Sequence, residues 1–101
     1  MERQLNLIIE QLKRLGALRI TLFGSLVREE VDVDSDIDLL VIMPSDKSGK
    51  EWMGLVYEKV ERGIASDIIA YNQEEFKAKL AESLFLRSVE KSGKVVYEKV
   101  I

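Results

Sequence analysis

The stretch that decides the fold begins with Phe23-Gly24-Ser25 and, after ten intervening residues, reaches Asp36-Ile37-Asp38. A glycine allows close backbone approach, and a serine that begins a short helix can offer its hydroxyl and N–H groups to a phosphate. In a strand, residues two apart project from the same face, so Asp36 and Asp38 are expected to present their carboxylates together. Carboxylate oxygens of this kind suit Mg²⁺ or Mn²⁺. The stretch therefore predicts a site for a metal-bound nucleotide, and with it phosphoryl or nucleotidyl transfer.

Two residues outside this stretch are candidates for the same site. Arg28 lies one helical turn after Ser25, where its guanidinium could add positive charge to the bound phosphates. Asp67 is expected in the middle of an apolar strand, and a carboxylate buried there without a partner is costly. A metal ion would be that partner if this strand neighbours the strand that carries Asp36.

Each of these features also has an ordinary structural interpretation. An isolated Asp-x-Asp is usually a solvated strand entry, and an isolated Gly24-Ser25 is more often a turn whose serine caps a helix. Asp67 can equally be satisfied by a backbone N–H or by a surface lysine. A calcium-binding loop beginning at Asp32 is excluded, because its sixth position is Ile37 rather than glycine.

The composition limits the classes of function. A chain of 101 residues is expected to form one domain, residues 1–101. Its 15 basic and 18 acidic residues leave a net charge of -3 and no basic stripe, which argues against nucleic acid as an unaided partner. Cysteine and histidine are both absent, so catalysis must rely on carboxylates, hydroxyls, Lys, Arg and metal. The N-terminal apolar residues are spaced rather than continuous, so neither a signal peptide nor a membrane partner is expected, and a cytoplasmic location follows.

The apolar periodicity predicts alternating helices and strands. Helical spacing extends over residues 5–15 with Gly16 as the stop, residues 18–22 alternate as in a half-buried strand, and Ile37 to Met43 is an apolar run typical of a strand covered on both faces. The later elements are predicted as a helix over 52–60 that Gly63 can end, a strand over 64–71, a helical pattern from the N-cap Asn72 to Val89 with a break near Ser83, and a strand over 94–98. This order predicts an α/β (α+β) layer fold, a mixed β-sheet with helices packed on it.

The aromatic residues are mostly assigned to the core. Trp52, Phe76 and Phe85 lie on the apolar faces of predicted helices, so we expect them to be buried rather than to stack on a base. Tyr57 and Tyr71 fit either a core or a surface position, and the pattern does not decide between them.

Together, Phe23-Gly24-Ser25, the Asp36-Ile37-Asp38 motif and the later Asp67 resemble the nucleotidyltransferase domain of the DNA polymerase β superfamily. Within that superfamily, the chain resembles the minimal nucleotidyltransferases that often act as antitoxins beside HEPN-domain proteins. The resemblance implies the nucleotidyltransferase fold. It also implies that Asp36, Asp38 and Asp67 bind Mg²⁺ or Mn²⁺ as a catalytic triad, and that Gly24, Ser25 and Arg28 bind the triphosphate.

The resemblance also implies an activity and a partner. The expected reaction transfers AMP from ATP to a hydroxyl acceptor on a HEPN-domain protein. Two alternatives stay open: an antitoxin that neutralises its partner by occlusion without catalysis, and a catalytic subunit that modifies RNA or a small molecule. The oligomeric state, including a homo-oligomer, is also left open by the sequence.

Overall fold

The structure, a computed structural model, describes residues 2–23, 37–60 and 66–99. Helices and strands follow one another as α1 (Glu2–Leu15), β1 (Arg19–Phe23), β2 (Ile37–Met43), α2 (Gly49–Lys59), β3 (Ser66–Asn72), α3 (Gln73–Leu80), α4 (Leu84–Ser92) and β4 (Lys94–Glu98). Within these residues, no helix is long and apolar enough to span a membrane.

The strands form one mixed sheet in the order β3-β2-β1-β4. β1 pairs antiparallel with both β2 and β4, whereas β2 and β3 are parallel. The parallel pair is joined by the crossover that contains α2, as parallel strands require. The end of β1 and the starts of β2 and β3 therefore meet at the same end of the sheet.

Each face of the sheet is covered by a separate apolar cluster. On one face, Ile8 and Leu12 of α1 and Trp52 and Val56 of α2 pack against alternate residues of the strands, such as Val41. On the other face, Phe76 of α3 and Leu86 and Val89 of α4 pack against Leu40 and Ile42. Burial on both faces explains why β2 reads as a continuous apolar run.

A network of hydrogen bonds joins α2 to α3 at the end of the sheet where β2 and β3 finish. Asn72 caps α3 by accepting from the Glu75 N–H at 2.7 Å, and Glu75 Oε1 accepts from the Asn72 N–H at 3.1 Å. The same oxygen accepts from the Gly49 N–H at 2.8 Å, and the Asn72 amide donates to the carbonyl of Lys47. Asn72 and Glu75 thus form the capping box of α3 and also hold the start of α2, whose own capping box consists of Ser48 and Glu51.

Gly49→Ala is expected to destabilise the fold, because its new Cβ would lie 2.6 Å from Glu75 Oε1 and 3.1 Å from the carbonyl oxygen of Ala70. We expect a loss of about 1–3 kcal/mol in the free energy of unfolding. Gly54→Ala is the matched control on the same helix, since a Cβ there meets nothing within 4 Å. It should raise stability by roughly 0.5–1 kcal/mol through helix propensity. Urea unfolding of both variants checks the prediction, and an equal response would contradict it.

Most of the predicted elements are confirmed, including the Gly16 stop with its φ of 112°, the Asn72 cap and the break at Ser83, which caps α4. The mixed sheet with helices packed on it is confirmed as well. The predicted end of α2 at Gly63 is wrong: the helix ends at Lys59, and Val60 is its extended C-cap.

Candidate active site

Two of the predicted site residues lie directly beside each other in the sheet. Asp38 of β2 and Asp67 of β3 are partners in the parallel register, one residue after the start of each strand. Neighbouring strands are about 4.8 Å apart, so the two backbones hold these carboxylates within reach of one common ion. This juxtaposition depends on the sheet order, which local sequence patterns do not reveal.

Both carboxylates are placed on the face that α3 and α4 cover. Side chains alternate along a strand, and Asp38 is two residues before Leu40, which belongs to the cluster on that face. Asp67 is likewise two residues before Ile69, which packs against the same cluster. Asp38 is half-buried, whereas Asp67 is exposed. The pair therefore stands beside an apolar layer with one carboxylate open to solvent.

The exposure of Asp67 corrects the prediction that it is buried in the middle of a strand. β3 lies at the edge of the sheet, and Asp67 is only its second described residue, because β3 begins at Ser66 and the predicted strand residues before it lie outside the described ones. Asp67 therefore does not need a partner to compensate for burial. Its exposure instead leaves the carboxylate open to an approaching substrate.

The remaining predicted site residues are Gly24, Ser25, Arg28 and Asp36, and all four lie outside the described residues. Their assignments stay predictions. Phe23 ends β1 immediately before Gly24, and Asp36 immediately precedes β2. The chain therefore leaves and re-enters the described structure at the end of the sheet that carries Asp38 and Asp67.

The donor set fits a hard divalent cation. Asp38 and Asp67 supply carboxylate oxygens, the ligands that Mg²⁺ prefers, and Mg²⁺ commonly needs only one or two carboxylates beside water and substrate phosphates. Within residues 2–23, 37–60 and 66–99, no group of three or more potential metal-ligating side chains is found. A third protein ligand would have to come from elsewhere, and Asp36 is the predicted one.

An aromatic pair lies beside Asp38, on the side of β2 opposite to Asp67. Phe23 of β1 is the antiparallel partner of Asp38. Its ring makes an edge-to-face contact with Phe85 of α4, with centroids 5.7 Å apart and planes at 78°. Phe85 is half exposed, so its predicted place in the core is wrong, whereas Trp52 and Phe76 are buried as predicted. Phe85 misses the core because α4 turns Leu86 and Val89 towards the sheet, which leaves Phe85 at the edge of the buried stripe, against Phe23.

The two undecided tyrosines differ in their surroundings. Tyr57 on α2 is exposed, whereas Tyr71 of β3 is partly buried against the cluster under α3 and α4. Neither is among the first residues of a strand at the end of the sheet that carries Asp38 and Asp67. We therefore assign neither tyrosine to the site.

Over residues 2–23, 37–60 and 66–99 the chain forms a mixed four-stranded sheet with four helices, an architecture consistent with a nucleotidyltransferase fold. The sequence agrees: residues 4–96 match the nucleotidyltransferase domain family, and the chain belongs to that family. It is thus a transferase of the nucleotidyl-transfer class.

A solved structure shows the same fold. The chain resembles the crystal structure of a provisionally assigned nucleotidyltransferase from Sulfolobus solfataricus, with a TM-score of 0.65 and 23% sequence identity. The similarity covers 96% of this chain and 82% of the other. No curated protein sequence matches the chain.

Proposed function

We propose that the chain transfers AMP from ATP to a hydroxyl group, with Asp38 and Asp67 as the centre of its metal-dependent site. The observation that carries the proposal is the register pairing of these two aspartates on one face of the sheet. Asp36 is proposed as the third ligand, and Gly24, Ser25 and Arg28 as the residues that bind the triphosphate. Family membership supports nucleotidyl transfer in general, and the choice of ATP rests on the resemblance to minimal nucleotidyltransferases.

The residues divide the chemistry between them. Mg²⁺ or Mn²⁺ held by the carboxylates would neutralise charge on the phosphates and on the leaving pyrophosphate. The acceptor oxygen attacks the α-phosphorus, a new P–O bond forms, and the bond to the bridging oxygen of the β-phosphate breaks. Pyrophosphate leaves with the electron pair of that bond. The chain has no histidine, so the exposed Asp67 is proposed to accept the proton of the acceptor hydroxyl.

The acceptor is proposed to be a hydroxyl side chain of a HEPN-domain protein, which would make this chain an antitoxin. Support comes from the resemblance to minimal nucleotidyltransferases, which often act beside HEPN-domain proteins. Membership of the nucleotidyltransferase domain family supports nucleotidyl transfer to an acceptor in general.

Titration of ATP with Mg²⁺ into the protein by calorimetry tests the site. Asp38→Asn is expected to weaken metal-dependent ATP binding by at least about 10- to 100-fold, because a charged oxygen ligand is lost. Asp46→Asn is the matched control: Asp46 has a side chain 64% exposed and lies beyond the other end of β2. It should bind ATP like the wild type. Equal binding by the wild type and Asp38→Asn would contradict the proposed site.

A further inference from the structure

A small exposed apolar patch, formed by Leu84 and Phe85, lies at the start of α4. Leu84 is 80% exposed and Phe85 is 50% exposed, and among the large apolar side chains that the described residues expose, only these two are adjacent in sequence. The others, on α1, α2 and β4, stand singly, which is ordinary for a protein surface. The patch at the start of α4 therefore differs from the other exposed apolar side chains of the described residues.

Phe85 is connected to Asp38 of the acidic pair through one intervening side chain. Phe23 is directly opposite Asp38 across the β1–β2 pair, and Phe85 packs against Phe23. An edge-to-face contact occupies at most one face of the Phe85 ring. Half of the Phe85 residue is exposed to solvent, and one intervening side chain, that of Phe23, separates it from Asp38.

Phe85 is also held in place before any ligand arrives. Ser83 caps α4 by accepting from the Leu86 N–H at 3.2 Å. Arg87 donates to the carbonyls of Leu80 and Ala81 at the end of α3, which ties the first turn of α4 to the preceding helix. These bonds fix the backbone of the first turn of α4, and the contact with Phe23 holds the ring, so Phe85 loses little conformational entropy when it stacks on a ligand.

We propose that the exposed part of the Phe85 ring stacks on the nucleobase of the bound triphosphate. The proposal rests on the proposed function, because it needs a triphosphate held beside Asp38. A nucleobase fits better than a protein partner, since a stable protein interface buries about 800 Å² on each side and two adjacent side chains offer far less. Stacking on one ring accepts any base but favours the larger purines.

The test compares a ligand that has a base with one that lacks it. ATP and inorganic tripolyphosphate, each with Mg²⁺, are titrated into the wild type, Phe85→Ala, Phe85→Leu and Phe85→Tyr. Phe85→Ala and Phe85→Leu are expected to weaken ATP binding by about 5- to 150-fold, the range for loss of one base–aromatic stack, and to leave tripolyphosphate binding unchanged. Phe85→Tyr keeps the ring and should bind ATP as the wild type does. Leu84→Ala removes the more exposed neighbour and should change neither affinity.

The outcomes separate this inference from the proposed function. A wild type that binds neither ligand contradicts the proposed function and this inference with it. If Phe85→Leu and Phe85→Ala bind ATP as tightly as the wild type, the inference is overturned and the proposed function is not. An equal loss of ATP and tripolyphosphate binding in these variants has the same consequence. Either result would favour a partner protein as the occupant of the apolar patch formed by Leu84 and Phe85. Thermal melts of each variant exclude unfolding as the cause of a lost affinity, and Phe85→Leu retains the test if Phe85→Ala does not fold.

Discussion

Asp67→Asn is expected to slow nucleotidyl transfer by about 10²- to 10⁴-fold, the usual contribution of a positioned general base. The reason is that Asp67 is the exposed member of the carboxylate pair, and an amide cannot accept the proton of the acceptor hydroxyl. ATP binding should persist, because Asp38 and the predicted Asp36 remain as ligands. The measurement is the transfer of label from α-labelled ATP to purified HEPN-domain proteins, beside calorimetry of ATP binding.

The control for Asp67→Asn is Asp46→Asn, which makes the same chemical change at an exposed position beyond the other end of the sheet. It should label the acceptor at the wild-type rate. Full transfer activity in Asp67→Asn would exclude the base role. Loss of ATP binding together with activity would instead make Asp67 chiefly a metal ligand.

The same aspartates distinguish catalysis from occlusion. If the chain neutralises a partner by modifying it, Asp36→Asn combined with Asp38→Asn should abolish neutralisation. If it only covers the partner, the double variant should still neutralise, because asparagine keeps the shape of the surface. Labelling of RNA or a small molecule in place of the protein would support the third possibility, a catalytic subunit with another acceptor.

The largest effect on stability is expected from Trp52→Ala. Trp52 is 4% exposed in the cluster between α1, α2 and the sheet, and its indole N–H donates to the carbonyl of Pro44 at 2.8 Å. Removing a buried tryptophan typically costs about 3–5 kcal/mol. For a domain of this size, each kcal/mol lowers the melting temperature by roughly 4–8 °C. Calorimetric melting should therefore show a fall of tens of degrees, or an unfolded protein.

Two controls separate the parts of that loss. Trp52→Phe keeps an aromatic ring and removes the hydrogen bond to Pro44, so it should cost about 1–3 kcal/mol. Tyr57→Ala removes an aromatic ring from an exposed position of the same helix and should cost about 1 kcal/mol or less. A loss for Trp52→Ala no larger than that for Tyr57→Ala would contradict the assignment of Trp52 to the core.

The local elements were predictable where the physical cause is local. Gly16 ends α1 because its φ of 112° is easily reached only by glycine, and Asn72 begins α3 because its side chain satisfies a free N–H of the first turn. The run from Ile37 to Met43 predicted a strand covered on both faces, and both apolar clusters include its residues. The end of α2 was missed, since Gly63 signalled a stop although the helix ended earlier at Lys59.

The sequence by itself determined which side chains are available: carboxylates without histidine or cysteine, and an Asp-x-Asp at a strand entry. It also determined the family, because residues 4–96 match the nucleotidyltransferase domain family. Only the tertiary structure decided that Asp38 and Asp67 are neighbours, because strand order and register arise from pairing between residues distant in sequence. It also decided that Asp67 is exposed on an edge strand and that Phe85 lies beside Phe23 rather than in the core. Periodicity reports which face of its own element a residue occupies, whereas what covers that face depends on how the elements pack.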